Sequence, residues 1–452
     1  MGMQNESLLK SRALAVIKKL RQQLIDPSFC SRHRRRDVDF TRECVLTFPV
    51  LMLLLLQKSL KSLQAHAQEF LHQLADGLAA PLLSAGALTH ARAKLRASAF
   101  AELNTQAVLP MVYGPDHAGL AQRWRGHRLL SVDSSLMRLP TNSAVGERFG
   151  WVQCANHRGR LERYPQGRVS VLFDVLNQVG LDPRLVASTV AETELAHEHL
   201  AWVQAGDVVL SDRGYTGYRW LVAVRAAGAQ CVSRASRGSF AAVQRLFKRN
   251  EADASETVIL TAPRELRAEC RQRSWPLELT VRLVTVRLST GELEVLVTSL
   301  LDETAYPTEE FAALYWRRWG QETYYGRLKG RLDLEHCSGQ TVEAVEQDFQ
   351  ATVLLSNVES VPIGPAQAQL TASTAGRNQP AQVNRAVSIH ALKYRLIDLL
   401  TQRVPAEQIL TELTQWFQAN PVSVRPPRNV ARRKPSPSRS YHYQRRMKKI
   451  VF

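Results

Sequence analysis

Four residues in the stretch ALYWRRWGQETYYGRLKGRL have the types and spacing to work on a phosphodiester: Tyr315, Arg318, Glu322 and Lys329, with the last three at offsets of 3, 7 and 14 from the tyrosine. On a helix turning by about 100° per residue they share one stripe roughly 60° wide. A carboxylate in such a stripe can hold a metal ion while the guanidinium and the ammonium neutralise nearby phosphates. A plain exposed helix with an Arg318–Glu322 ion pair would carry some of the same residues. The full spacing favours chemistry, because a chance match in a chain with eleven tyrosines is expected in roughly two sequences in a thousand.

Two aspartates extend the set. Asp133 follows the apolar strand pattern of RLLSVDSSLMRL, and Asp212 ends the buried-strand pattern of GDVVLSDRGY. Two strand-end aspartates and a helical glutamate can supply oxygen ligands to a pair of divalent ions flanking a scissile phosphate. Taken singly, Asp133 could cap a turn through Ser134 and Ser135, and Asp212 could pair only with Arg213. Their order along the chain, strand ends first and the Glu322 helix last, favours catalysis.

The elements that must position these groups are legible in outline. Residues 1–115 read as helical, with apolar residues at helical spacing through Leu60, Leu63, Ala67, Phe70, Leu71 and Leu74. Within them, Ser84 to Phe100 predicts a short helix carrying His90, Arg92, Lys94 and Arg96. It is either the reading helix of a helix-turn-helix, with Arg92 and Lys94 on DNA, or a solvated basic face. Residues 116–235 give strand, strand, strand, helix, strand, helix, strand, including a hairpin turning near Asn177 to Gly180. Residues 236–300 read as a β-rich insertion through TVILTA, LELTVRLVTVRLS and LEVLVTSL. Residues 301–360 return to the core with a long helix beginning near Thr308. A Pro/Gly/Ala/Thr linker at about 361–381 and one or two helices complete 361–424. The tail from Arg425 to Phe452 has ten basic residues and no acidic one, and is expected to lack fixed structure when free and to contact phosphates.

Composition narrows the partners. The formal charge of +18, from 59 Lys plus Arg against 41 Asp plus Glu, favours a polyanion. The six cysteines form no C-x-x-C pair, which argues against a zinc ribbon or a disulfide framework and fits a reducing cytoplasm. The most apolar run, Val45 to Leu56, is too short for the roughly 18–20 residues that cross a bilayer, and no signal peptide is evident. No membrane role is expected.

The motif Y-x2-R-x3-E-x6-K, complete at Tyr315, Arg318, Glu322 and Lys329, resembles the signature of the insertion sequence 4 family of bacterial DDE transposases. Asp133 in LLSVDSSLMRL looks like that family's first acid, and Asp212 in the D-R-G-Y of GDVVLSDRGY like its second. The similarity covers most of residues 45–360. It implies an α/β fold with a ribonuclease-H-like mixed sheet, a β-rich insertion and helical terminal regions. Asp133, Asp212 and Glu322 would be the catalytic, metal-holding acids, with two Mg2+ ions or Mn2+ in their place. Tyr315, Arg318, Lys329 and Arg213 would contact phosphates. The implied partners are double-stranded DNA, as transposon ends and target, and a second copy of the chain on that DNA, in a bacterial, nucleoid-associated setting. The implied reaction is nicking at the transposon end, a hairpin intermediate, and strand transfer of the 3′-hydroxyl into target. In the family an aromatic of the insertion stacks on a flipped base during hairpin formation. Trp275 is the one tryptophan in this insertion, and it is open to that role or to core packing.

Other residues carry less. His197 and His199 stand two apart on a predicted helix and so point away from a shared metal. Trp316, Trp319, Tyr324 and Tyr325 could seat the helix or touch bases, and Arg32 to Arg36 form a solvated basic run open to non-specific DNA contact. Two competing functions remain: a nuclease or junction resolvase that cuts without joining, and a silent DNA-binding descendant of a transposase.

Overall fold

The computed structural model describes residues 2–42, 44–59, 62–75, 80–155, 160–288, 290–401 and 403–424; the basic tail expected from Arg425 lies outside them. Ten strands belong to one hydrogen-bonded network: β1 (Leu129–Ser131), β2 (Ser134–Arg138), β3 (Trp151–Ala155), β4 (Leu161–Asp174), β5 (Val179–Ala187), β6 (Val208–Ser211), β7 (Gln230–Arg234), β8 (Ser255–Thr261), β9 (Glu278–Arg287) and β10 (Leu293–Thr298). The chain divides into two compact units. One is drawn from the described residues of 1–121, 136–167 and 326–424, the other from those of 122–135 and 168–325.

The second unit carries the sheet that matters for chemistry. β4 runs antiparallel to β1 and also pairs with β5, while β1, β6 and β7 are mutually parallel neighbours. The β4–β5 turn is held by Asp174, whose Oδ1 accepts from the amides of Leu176 and Asn177 (both 2.9 Å). β6 is an unbroken buried run, Val208 to Ser211, as expected for a central parallel strand covered on both faces. Helices Glu192–His199 and Tyr218–Ala226 follow β5 and β6. This is the ribonuclease-H-like mixed sheet. Leu221, Val222 and Val224 share a core with Val209 and Cys231 of the sheet and Val243 and Leu246 of helix Ala241–Arg249.

Residues 236–300, expected as a β-rich insertion, add strands to the same sheet. β10 pairs antiparallel with β7, and the order continues through β9 to β8. Their apolar alternation is therefore matched to the main core: Val281, Leu283, Val295 and Val297 join the cluster named above.

The stretch from Thr308 is two helices, where one was expected. Glu310–Trp316 ends, Arg317 and Arg318 form a turn closed by i to i+3 bonds, and Trp319–Gly330 begins. Such bonds tighten the winding, so Tyr315, Arg318 and Glu322 do not share the stripe of one straight helix.

In the first unit, helix Val342–Thr374 is central, packing against Gly2–Ile25, Ser98–Leu103 and Ala406–Ala419. The linker expected at about 361–381 is corrected here, because the helix runs through Pro362 and Pro365 to Thr374. Burial of Val361, Ile363, Ala366 and Leu370 outweighs the breaker residues. The apolar run near Val45 forms helix Phe48–Leu56, buried along almost its whole length. Among the described residues no helix is long and apolar enough to cross a membrane.

The strands bearing the acids are clamped at their opposite ends. Arg128, just before β1, donates from Nε and Nη2 to Asp207, just before β6 (2.8 and 2.5 Å), and both side chains are buried. Arg128→Ala strands a buried carboxylate and is expected to cost about 3–5 kcal/mol in urea denaturation, whereas replacing both partners with apolar residues of similar volume should recover most of the loss.

Candidate active site

The parallel register of β1 and β6 aligns Ser131 with Leu210, so Asp133 and Asp212 each follow two residues after an aligned pair. Val132 continues the pairing by donating its amide to the Leu210 carbonyl (3.3 Å). Both aspartates thus leave the C-terminal ends of adjacent parallel strands. Each also turns a carboxylate oxygen onto the following amide, Asp133 to Ser134 (2.8 Å) and Asp212 to Arg213 (2.7 Å).

Glu322 reaches this edge on helix Trp319–Gly330. Gln321 donates to the Val171 carbonyl (2.7 Å), Tyr324 stacks on Phe173 with centroids 4.2 Å apart, and Tyr325 donates to the Asp133 carbonyl (2.8 Å). Tyr324 and Tyr325 therefore seat the helix, whereas Trp316 and Trp319 are substantially exposed.

Arg318 links the acids. Its Nη2 donates to Glu322 (3.1 Å), and Nη1 lies 4.0 Å from Asp133. Burial works against its charge, but Tyr315, Asp212 and Glu322 outweigh that cost and raise its pKa. Asp212 is held by Arg234 at the end of β7 (Nη2 to Oδ1, 2.8 Å), and Arg234 also pairs with Glu294 of β10 (2.5 Å). Burial resists ionisation of Asp212; the Arg213 amide, Arg234 and Arg318 prevail and keep its pKa below the ordinary value. Asp133 goes the other way. Burial, reinforced by Glu192 and Glu322, overcomes the Ser134 amide and Arg318 and lifts its pKa to about 6.

Several residues expected on DNA bond to groups of the protein itself. Arg92 is buried and donates to Gln347, Ser338, the Ala344 carbonyl and Asp348, each at 2.6 Å, so the expected DNA contact is corrected to a structural one. Its helix, Ala85–Arg92, stops before Lys94. Tyr315 and Arg318 are also buried; the tyrosine hydroxyl donates to the Ser211 carbonyl (3.4 Å). Arg213 is exposed. Lys329, in the other unit, donates to the Leu136 carbonyl (2.5 Å) and pairs with Glu335 (3.4 Å). Trp275 packs against the sheet core beneath Arg273. His197 and His199 bond to different groups, the Thr193 carbonyl and the Asp182 carboxylate. The sequence reading missed Arg234 and Glu294. Pairing GDVVLS with QCVSR as parallel neighbours would have placed Arg234 opposite Asp212.

Among the described residues, no three His, Cys, Asp or Glu side chains form a group placed to hold a metal ion. The donor chemistry nevertheless suits a hard dication. Asp133, Asp212, Glu192, Glu294 and Glu322 supply carboxylate oxygens, the ligand type such ions take, and Arg168, Arg234 and Arg318 pair with them.

The sequence pattern described as the transposase DDE domain matches residues 124–358, just over half of the chain. The chain belongs to the DDE transposase family. The chain is 24% identical to transposase InsG of insertion sequence element IS4 from Escherichia coli over 305 residues, spanning 64% of this chain and 65% of that relative. The match supports the insertion sequence 4 branch, and it covers just under two thirds of the relative's length. A cryo-EM structure of the piggyBac transposase synaptic complex with hairpin DNA aligns over 94% of this chain and 86% of that one, at 10% identity and a TM-score of 0.40.

The raised pKa of Asp133 has a measurable sign in the metal-free protein. Between its ordinary value of 3.8 and about 6 the native chain binds more protons than the unfolded one, so this contribution to stability is complete below 3.8 and is lost as pH rises through about 6. Asp133→Asn is expected to show a higher urea midpoint than the parent at about pH 7.5 in chelator, with the margin closing as pH falls toward about 4.

Proposed function

We propose that this chain is a cut-and-paste transposase whose catalytic acids are Asp133, Asp212 and Glu322. The observation that carries the proposal is the aligned exit of Asp133 and Asp212 from adjacent parallel strands, with Arg318 joining Asp133 to Glu322.

The three carboxylates would hold two Mg2+ ions, or Mn2+ in their place; such ions make water a stronger nucleophile and take up charge on the leaving oxygen. The protein's part is to keep the carboxylates aimed and ionised. Arg318 and Arg234 compensate their charge before DNA arrives, and Tyr325 and Gln321 hold the Glu322 helix against β4. Arg213, exposed beside Asp212, would meet a phosphate, and Lys329 would do so on leaving Glu335. For Tyr315 and Arg318, a direct phosphate contact requires the site to open first. The DNA product is a 3′-hydroxyl joined to target, formed through a hairpin. The active form is a homodimer on DNA.

Lys94 lines a cleft of about 700 Å³ with Arg35, Arg36, His90 and Arg96, and the acids there are Asp39 and Glu343. The excess of positive charge suits the backbone of duplex DNA. Residues 1–115 would therefore serve as the DNA-binding part, with 116–235 and 301–360 forming the catalytic core.

Asp133→Asn, Asp212→Asn and Glu322→Gln should each abolish nicking of a transposon-end duplex while leaving end binding intact; nicking retained by any of them removes that residue from the set. Pre-cut ends should be joined to target DNA by the parent protein, and hydrolysis without joining would favour the resolvase reading. Lys94→Ala and Arg96→Ala should weaken duplex binding irrespective of sequence, each reducing the slope of log affinity against log salt by about 1.

A further inference from the structure

Asp133 sits between strands, where ladder bonds stop, and its main chain is held by side chains instead. Its carbonyl accepts from Tyr325 (2.8 Å) and from the hydroxyl of Ser170 on β4 (3.1 Å). Behind Ser170 runs a buried chain of polar groups. Nε2 of His199 lies 2.8 Å from the Ser170 hydroxyl, and Nδ1 lies 2.8 Å from Oδ2 of Asp182 on β5. Arg184 donates to that same Asp182 oxygen (2.7 Å) and also pairs with Glu198. Ser170 is 1% exposed and His199 is 0% exposed.

These residue types would suit nucleophilic catalysis, but the enclosed Ser170 hydroxyl gives its proton to a main-chain carbonyl. The Asp182 carboxylate only accepts, so Nδ1 of His199 donates to it, and Nε2 stands within hydrogen-bond distance of the Ser170 hydroxyl. The chain of contacts is continuous from Asp182 to the Asp133 carbonyl, and it ends on a peptide whose other side is equally constrained, because the Ser134 amide donates to Asp133 Oδ1. Turning the Asp133–Ser134 peptide would break the bond that aims the carboxylate. Burying Asp182, His199 and Ser170 costs desolvation that apolar residues would avoid, so their contacts need an explanation beyond packing.

We propose that Asp182, His199 and Ser170 form a positioning relay that fixes the Asp133 peptide and thereby aims its carboxylate in the divalent-ion site. The inference rests on the reading of Asp133 as a metal-holding acid. Residues that orient a metal ligand typically change metal affinity about 10–100-fold when replaced.

The test uses the full chain without DNA and follows Mn2+ binding by the loss of the free-ion electron paramagnetic resonance signal. Nicking against Mn2+ concentration is measured in parallel. Ser170→Ala and His199→Asn should weaken Mn2+ binding by about tenfold. They should raise the Mn2+ needed for half-maximal nicking by the same factor, with the saturating rate and end binding retained. Ser170→Thr keeps the hydroxyl, and His199→Gln keeps a donor near the Nε2 position; both should stay near the parent. The double variant Ser170→Ala/His199→Asn should bind no more weakly than Ser170→Ala alone, since the two act in series. Parent-like Mn2+ binding by folded Ser170→Ala, or equal losses in His199→Asn and His199→Gln, would overturn the relay. Should Ser170→Ala fail to fold, the two His199 variants decide alone. If Asp133→Asn itself binds Mn2+ like the parent, the assignment of the metal site fails, and that outcome is separate from failure of the relay.

Discussion

A guanidinium buried beside carboxylates is the constraint on which the site depends. Arg318 is 2% exposed, bonds to Glu322, lies near Asp133 and acts electrostatically on Asp212. A buried cation is tolerable only with anions around it, and these anions crowd together only because the cation lies among them. The turn at Arg317 and Arg318 separates the two helices and delivers this side chain to the strand ends, so a break in helical winding serves the electrostatics.

The sheet supplies the complementary half. Arg128 and Asp207 clamp the entry of β1 and β6, and the aligned register carries through to Asp133 and Asp212 at the exit. β7 adds Arg234 beside Asp212, and β10 adds Glu294 beside Arg234. Residues far apart in sequence thus set the charge state of two aspartates. Their environments also push the two pKa values in opposite directions, Asp133 up and Asp212 down.

Much of this was legible in sequence where local pattern and chemistry coincide. The apolar runs ending at Asp133 and Asp212, the hairpin near Asn177 and the strands of residues 236–300 all follow from alternation and turn residues. What could not be read locally was decided by tertiary packing. Pro362 and Pro365 look like linker residues, yet they lie within a helix that its buried neighbours sustain. Arg92 looks like a DNA contact until Asp348, 256 residues away, accepts its hydrogen bond. Arg234 carries no signal of its own, since its meaning depends on which strand lies beside β7. The same holds for His199, whose partners come from β4 and β5.

Glu322 follows every other member of the acid cluster in the chain, and its helix docks on β4, more than a hundred residues earlier. A polypeptide still emerging from the ribosome therefore exposes Asp133 and Asp212 for some time with nothing to complete them. Assembly waits for long-range contacts, the slow kind in folding. Glu322 can join the two aspartates only after nearly all of the sheet has been synthesised.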